Sequence, residues 1–383
     1  MKQLTHFAVR RQRGFTLVEL MISITIGLVI MAALVTLLVN LNRNQNEFGK
    51  SNRMIENGRF ALQLLESDLV HGGYWGGFVP RFDDLINTAV PSDVPTGIAD
   101  PCAIYGPAWD TDYLSNLVGV PVHSYEVPAV VPDPAIPVCA TPGVGPVVNA
   151  RGNSDVIVVR YAQKCTTDCL AAAPATVDRI YMQVQRCGDS MPVPGYVLAQ
   201  SGLDLRNVRC NALSEIRRFV SNIYYVSDLA GVPTLMRSQF GLVAGVPAFE
   251  AAQAMIDGVE AVRIEYGLDT VSDSGAAVNF AQAIVWASDT NLTSPTNRGD
   301  GIPDGAFVRC TSTVPCTSAQ LMNAVAVRIH VLVRSDQRTP GYVDSKTYEL
   351  GGTTLGPFGD NFKRHVFTRT VRLTNVSSRR ETP

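Results

Sequence analysis

Residues 13–42 read RGFTLVELMISITIGLVIMAALVTLLVNLN, and this stretch decides the fold. After Arg13 its only charge is Glu19, and from Leu20 to Asn42 there are 23 uncharged residues. As a helix these would span roughly 35 Å, against a hydrocarbon core of about 30 Å. A secretory signal peptide is the competing reading, but its apolar region runs to about 7–15 residues and ends at an A-x-A-like site. The stretch has neither feature. Lys2, Arg10, Arg11 and Arg13 precede it with no acid among residues 1–14, which predicts a cytoplasmic N-terminus and export of everything after about residue 43.

Glu19 departs from the apolar pattern. An acid near the bilayer centre costs about 2.5–3.5 kcal/mol on insertion scales, and less towards the interface. Thr16-Leu17-Val18-Glu19 reads as a capping box, with Glu19 at the third helical position satisfying a backbone N–H. A cap alone does not explain why the helix begins directly after Arg13-Gly14. The sharper reading is cleavage between Gly14 and Phe15, which places a new amino group one helical turn from Glu19.

The chain has 383 residues, 46% apolar and 17% charged, with 32 basic residues against 34 acidic ones. That is enough to bury a sizeable core and gives a soft prior of two or three domains. Ordinary charge and 8% aromatic content exclude a disordered or collagen-like chain. Near-neutrality removes the bulk basic field that first signals nucleic-acid binding, although a basic patch can hide inside a neutral average.

Past the span the helix is predicted to continue to about residue 71, giving one helix of roughly 85 Å over 15–71. Phe48, Ile55, Leu62 and Leu69 recur every seven residues, Leu65 adds an intermediate contact, and Gly72-Gly73 supplies the stop. Residues 80–146 hold twelve of the 23 prolines, which predicts sparse regular structure in a surface excursion stapled through Cys102 and Cys139. From 150 to 383 the chain is β-rich, with strand-like runs at 155–161, 179–185, 216–226, 259–266, 283–286, 325–334 and 366–373. In Val325–Arg334 five β-branched residues line one face, and Arg328, His330 and Arg334 the other. In the last run Phe367, Val371 and Leu373 share a face that Arg369 interrupts. A one-faced antiparallel sheet needs a cover, which the amphipathic half of the helix can provide. The fold class is therefore α+β: a long N-terminal helix, transmembrane at about 20–42, on an antiparallel sheet head over 72–383.

The order basic leader, Gly14, Phe15, four residues to Glu19, then about twenty apolar positions resembles the processing site of type IV prepilins and pseudopilins. That resemblance implies a leader, residues 1–14, removed by a prepilin peptidase on the cytoplasmic side, with N-methylation of Phe15. It implies that Glu19 guides docking by pairing with the Phe15 amine of a neighbouring subunit. Removing the leader discards four positive charges, so the net charge falls from −2 to −6. Many major pilins have a kinking proline in this segment; here no proline occurs from Phe15 to Val79. Gly58 to Leu69 followed by Gly73-Tyr74-Trp75-Gly76-Gly77, together with 257–267, 325–335 and 364–375, is similar to the PilW family of minor pilins. This implies a single-pass inner-membrane protein with a periplasmic head, incorporated into a pilus fibre. Its implied partners are other minor pilins, the major pilin, the inner-membrane assembly platform and a tip adhesin. The implied role is initiation of assembly in a minor-pilin tip complex, supporting adhesion, twitching motility or DNA uptake. A type II secretion pseudopilin, or a tip module binding DNA or a host surface, is the alternative.

The remaining chemistry is sparse. Cys102, Cys139, Cys165, Cys169, Cys187, Cys210, Cys310 and Cys316 all fall in the exported part, an even number read as disulfides. Pairing 102 with 139, 165 with 169, 187 with 210 and 310 with 316 is the simplest of 105 connectivities. No CxxC, GxSxG, HExxH or phosphate loop occurs, so no enzyme and no cofactor is expected. Asn297, Asp300 and Asp304 resemble a fragment of a calcium loop, but the alternation of oxygen ligands is incomplete and a plain turn is the favoured reading. Arg328, Arg334, Lys363, Arg364, Arg369 and Arg372 sit in or near the last two strands, where a solvated face is favoured over DNA contact.

Overall fold

The helix that opens the structure, a computed structural model, begins two residues after Phe15. The structure describes residues 14, 16–106, 108–129, 146–165, 179–188, 195–229, 231–288, 290, 292 and 294–381. The chain divides into two units, 1–52 and 53–383. Helix α1 (Leu17–His71) supplies the described helical part of the first unit, and its residues 53–71 belong to the second. There follow α2 (Thr111–Gly119), β1 (Val122–Val127), β2 (Ser154–Lys164), β3 (Tyr181–Val184) and β4 (Tyr196–Ala199). Next come β5 (Ile216–Leu229), β6 (Val232–Val243), β7 (Val246–Phe249), β8 (Gln253–Asp257) and β9 (Val259–Leu268). The chain closes with α3 (Ser318–Leu321), β10 (Ala324–Arg334), β11 (Tyr348–Leu350), β12 (Thr353–Leu355), β13 (Arg364–Arg372) and α4 (Thr374–Arg380).

All described strand pairs are antiparallel. An eight-stranded sheet runs β1-β2-β5-β3-β4, with β6 also on β5 and both β7 and β8 on β6. A second sheet orders β13-β10-β9, and β11 and β12 form a hairpin. Val325, Val327, Ile329, Val331 and Val333 are each 0% exposed, as the alternation of β10 predicts. The opposite face of β10 is not simply solvated: Leu332 is also buried, under Tyr348, Leu350 and Leu355 of the β11-β12 hairpin.

Residues 53–71 of α1 lie across both sheets' inner faces. Ala61, Leu62, Leu65 and Leu69 join one cluster with Val159 and Tyr161 of β2, Tyr224 of β5, and residues of β9, β10 and β13. Each leucine so buried contributes about 2 kcal/mol from apolar surface removed from water. The buried face therefore follows three- and four-residue steps (Met54, Gly58, Ala61, Leu62, Leu65, Leu69), whereas Ile55 of the seven-residue stripe stays exposed, as does Phe48. A strict repeat of seven drifts about 20° per heptad around a straight helix, which carries its earlier members off the face that Leu69 occupies.

Three polar arrangements fix this stretch. Asp68 accepts from Asn222 Nδ2, Tyr224 Oη (2.7 Å) and Tyr161 Oη (3.1 Å), which offsets a carboxylate placed against the negative end of the helix dipole. Glu66 pairs with Arg369 (2.6 Å), so the residue that interrupts the apolar face of β13 reaches over the helix instead of entering the core. Arg53 pairs with Asp336 (2.9 Å), and Asn57 Nδ2 donates to Asp257 O (2.9 Å). The helix stops where the Gly72 N–H donates to Asp68 O and Gly73, at φ 75°, hands its N–H to Arg160 O of β2.

Several expectations need correction. Ala283–Trp286 is not a strand; it holds a single bridge, Trp286 with Pro295, and the Val285 N–H is taken by the Asn297 side chain (2.9 Å). With its Val285 N–H satisfied by a side chain, the segment has among the described residues no neighbouring strand to pair with beyond that single bridge. The last strand ends at Arg372, because Leu373 caps α4. The proline-rich stretch also holds more regular structure than its composition indicates. It contains α2 and β1, and its Ala99, Leu117 and Val118 are buried with Trp75, Phe219 and Phe240, so its described part is a cover on the eight-stranded sheet.

Two consequences are measurable. At Gly58 a Cβ would overlap the Phe367 ring. Gly→Ala inside a helix ordinarily gains up to about 1 kcal/mol, but Gly58→Ala is expected instead to cost about 1–3 kcal/mol through overpacking; thermal unfolding followed by circular dichroism decides, and a raised Tm would contradict the close approach. His123 on β1 is fully buried with neither ring nitrogen bonded, and burial, aided by the charge of Arg160, holds it well below its ordinary value. The folded state thus excludes a proton that the unfolded chain takes up near pH 6.5, so this contribution is complete above that pH and is lost as pH falls. In denaturant unfolding, His123→Leu should gain on the wild type progressively from pH 7 to 5, and a gap independent of pH would contradict it.

Candidate processing and docking site

Thr16 stands just before the first helical residue, where four N–H groups have no partner within a helix. Its own N–H and its hydroxyl both donate to Glu19 Oε2, at 3.0 and 2.9 Å, and the Glu19 N–H donates back to Thr16 Oγ1 at 3.2 Å. This is the reciprocal capping box, so in the uncleaved chain the Glu19 carboxylate is engaged by its own helix start. Gly14 is exposed, and a Cβ added there would meet nothing within 4 Å. The fold therefore places no steric demand for glycine at position 14. Phe15 and Cys139 and Cys169 lie outside the described residues.

From Leu17 to Leu41 the apolar side chains are exposed, with values such as 70% for Val29 and 65% for Leu28. The helix has an 18-residue window of mean hydropathy 2.7, long and apolar enough to cross a membrane. Its few hydroxyls are satisfied internally: Ser23 donates to Glu19 O, Thr25 to Ile22 O and Thr36 to Ala32 O. These three hydroxyls therefore need no water, as a lipid environment demands.

In the head, disulfides join Cys187 to Cys210 and Cys310 to Cys316; Cys102 and Cys165 are also disulfide-bonded. The 310–316 loop is anchored to β1, since the Ser312 N–H donates to Glu126 Oε2 (2.9 Å) and Arg309 Nη2 pairs with Glu126 Oε1 (2.5 Å). Arg309 and Arg263 both reach Asp155 on β2, so this network bridges the two sheets. Burial pushes Asp155 up and the two guanidiniums pull it back.

Asn297, Asp300 and Asp304 are each committed to loop hydrogen bonds: Asn297 Oδ1 to the Val285 N–H, Asp300 Oδ1 to the Ile302 N–H, and Asp304 Oδ2 to the Thr270 and Val271 N–H groups. The loop is organised by Asp269, which accepts from the Asp300 and Gly301 N–H groups and from Arg380. Among the described residues no group of three or more His, Cys, Asp or Glu side chains is placed to hold a metal. The basic residues of the last strands are mostly paired within the head: Arg328 with Glu265, Arg334 and Arg364 with Glu260, Arg369 with Glu66, and Arg372 with Glu381. Sequence reasoning missed Asp68 and Gly58; a carboxylate in the last turn and a glycine within a helical stripe were the available signals.

The capped, exposed apolar helix start and the α+β head are the architecture that the resemblance to type IV prepilins implies. A model of the prokaryotic N-terminal methylation motif matches residues 9–35, spanning Gly14, Phe15 and Glu19. A model of the type IV pilus-assembly protein W family, PilW, matches residues 223–375, from within β5 to the first turn of α4. Residues 223–375 are thus similar to the PilW family and residues 9–35 to the prepilin methylation motif, and the N-terminal helix supports a membrane-anchored pilin. No curated protein and no solved structure matches it.

Proposed function

We propose that this chain is exported, processed at Gly14-Phe15 by prepilin peptidase, and built into a minor-pilin complex that initiates a type IV pilus. The observation that carries the reading is α1: one helix is apolar and exposed from Leu17 to Leu41 and buried at Leu62, Leu65 and Leu69. An exposed stripe of that length is stable only in lipid or against the same surface of neighbouring subunits. Because such contacts are heterologous, they generate an open helical array instead of a closed ring.

Chemistry at the N-terminus supports the same order of events. Cleavage after Gly14 leaves a cationic amine on Phe15 at the positive end of the helix dipole, an unfavourable position without an anion nearby. Glu19 is the only acid between there and Glu47. Its carboxylate neutralises that amine within the chain before assembly and that of a neighbour after it, and N-methylation leaves the charge in place. No bond is made or broken by this protein itself, so its work is mechanical. The PilW match favours the pilus over a secretion pseudopilus. The size of the head suits a low-copy place near the tip, beside other minor pilins and an adhesin.

Gly14→Val is expected to leave the 14-residue leader attached, and a mature N-terminus at Phe15 by mass spectrometry would contradict the assignment. Glu19→Ala is expected to be inserted and cleaved normally but depleted at least tenfold from sheared fibres on quantitative immunoblot. Wild-type incorporation of that variant would remove the docking role.

A further inference from the structure

Residues 95–120 lie on the far side of the eight-stranded sheet from α1. The face of β2 that α1 covers carries Ile157, Val159 and Tyr161, whereas Val156, Val158 and Ala162 pack in other clusters and, by strand alternation, share their face with Arg160. On that face Ala99 and, from α2, Leu117 and Val118 pack with Trp75, Phe219 and Phe240, and the Trp109 ring stacks on Phe240 with centroids 5.5 Å apart. Hydrogen bonds from outside hold the segment down: Arg160 Nη2 donates to Ala99 O (2.9 Å), Trp75 Nε1 to Val118 O (3.0 Å) and Ser318 Oγ to Pro95 O (3.2 Å). It is also braced on itself, since the Thr96 and Gly97 N–H groups donate to Asn116 Oδ1 and Tyr113 Oη donates to Asp100 O. Its two roots are fixed: Asp83 pairs with Arg380 (2.9 Å) on one side, and β1 is laddered to β2 on the other.

His123 and Arg160 stand side by side in this layer. His123 is opposite Val158 in the β1–β2 register, and the Arg160 N–H donates to Pro121 O (2.9 Å), so the two side chains leave the same face of adjacent strands. Both are buried, and neither the His123 nitrogens nor Arg160 Nη1 have a hydrogen-bond partner. The other titratable groups around them are Tyr125 on β1, whose ring meets His123 edge-on at 5.2 Å, and Asp100 and Tyr113 on the segment itself. Burial pushes both tyrosines up, so they stay neutral, and Asp100 is the acid whose charge reaches Arg160. A second cation at His123 would face the guanidinium that grips Ala99 O, in a dry layer where like charges repel strongly.

We infer that residues 95–120 are an acid-operated flap: a proton on His123 loosens the hold of Arg160 on Ala99, and the flap swings off the sheet, uncovering Trp75, Phe219 and Phe240 while β9, β10 and β13 stay folded. With the flap closed, burial and the charge of Arg160 hold His123 well below its ordinary value; with it open the ring meets water and takes up a proton near pH 6.5. Opening is therefore linked to proton uptake and grows commoner as pH falls. Between pH 7 and 5 the ratio of open to closed flap rises about 25-fold, the factor for a group that ionises near pH 6.5 only when open. Asp100 works in the opposite sense, because burial raises it and the closed flap then keeps its proton more readily. The device is independent of pilus assembly.

Deuterium uptake by the oxidised full-length chain in non-ionic detergent is followed by mass spectrometry at pH 7 and pH 5, with rates corrected for the intrinsic effect of pH. Peptides from α2 are expected to exchange at least about tenfold faster than peptides from β10 at both pH values, as a locally opening unit does. Their opening constant is expected to rise about 25-fold at pH 5 in the wild type and less than about threefold in His123→Leu. Exchange of α2 and β10 at one common rate would make the opening global and overturn the flap, and an equal rise in the variant would remove His123 as its trigger. Without any variant, the ring-carbon chemical shifts of His123 are expected to report a neutral imidazole in the folded chain at pH 5, and titration near pH 6.5 would overturn the proposal.

Discussion

Leu65 and Leu69 lose nearly all solvent contact against strands drawn from both sheets, and that burial is the constraint on which the head is built. Without residues 53–71 of α1, the faces of β2, β5, β9, β10 and β13 that pack against it would open to water. The helix is held there by shape as well as area. Gly58 permits an approach to Phe367 that any side chain would block, and Asp68 satisfies two tyrosines and an asparagine that would otherwise be buried without partners. A load applied along such a helix is passed to the sheets through several independent contacts.

Away from the helix the two sheets are joined by charge. Arg263, Arg309, Asp155 and Glu126 sit between β1, β2 and β9, while Arg380 meets Asp83, Asp269 and Asn323 and draws the C-terminal helix onto the core. Paired buried charges of this kind are costly to break one member at a time, which favours a single arrangement of the sheets over several near-equivalent ones. Disulfides at 187–210 and 310–316 secure loops that have little apolar surface of their own.

How much of this the chain discloses depends on how local the cause is. The alternation of Val325–Arg334 is set by a two-residue period, and the residues on its inner face are those buried. Glu19 and Thr16 are three residues apart, and their capping box follows from that spacing. By contrast β6, β7 and β8 were not legible, because Pro233, Pro247 and several exposed residues dilute their patterning and their stability comes from pairing with β5 and one another. The face of α1 was legible in kind but not in phase, since only the sheets decide which neighbours of Leu69 are covered. The closeness of His123 and Arg160 was hidden for a different reason: composition counts charges, and only the fold shows which lie together.

The proposed role requires that a chain with this helix and head be needed to start a fibre. Deleting its gene and examining cells by electron microscopy tests that claim most directly. The expected result is a loss of surface pili that the wild-type gene restores and the Glu19→Ala gene does not. Cells lacking the gene but bearing normal numbers of pili would contradict it.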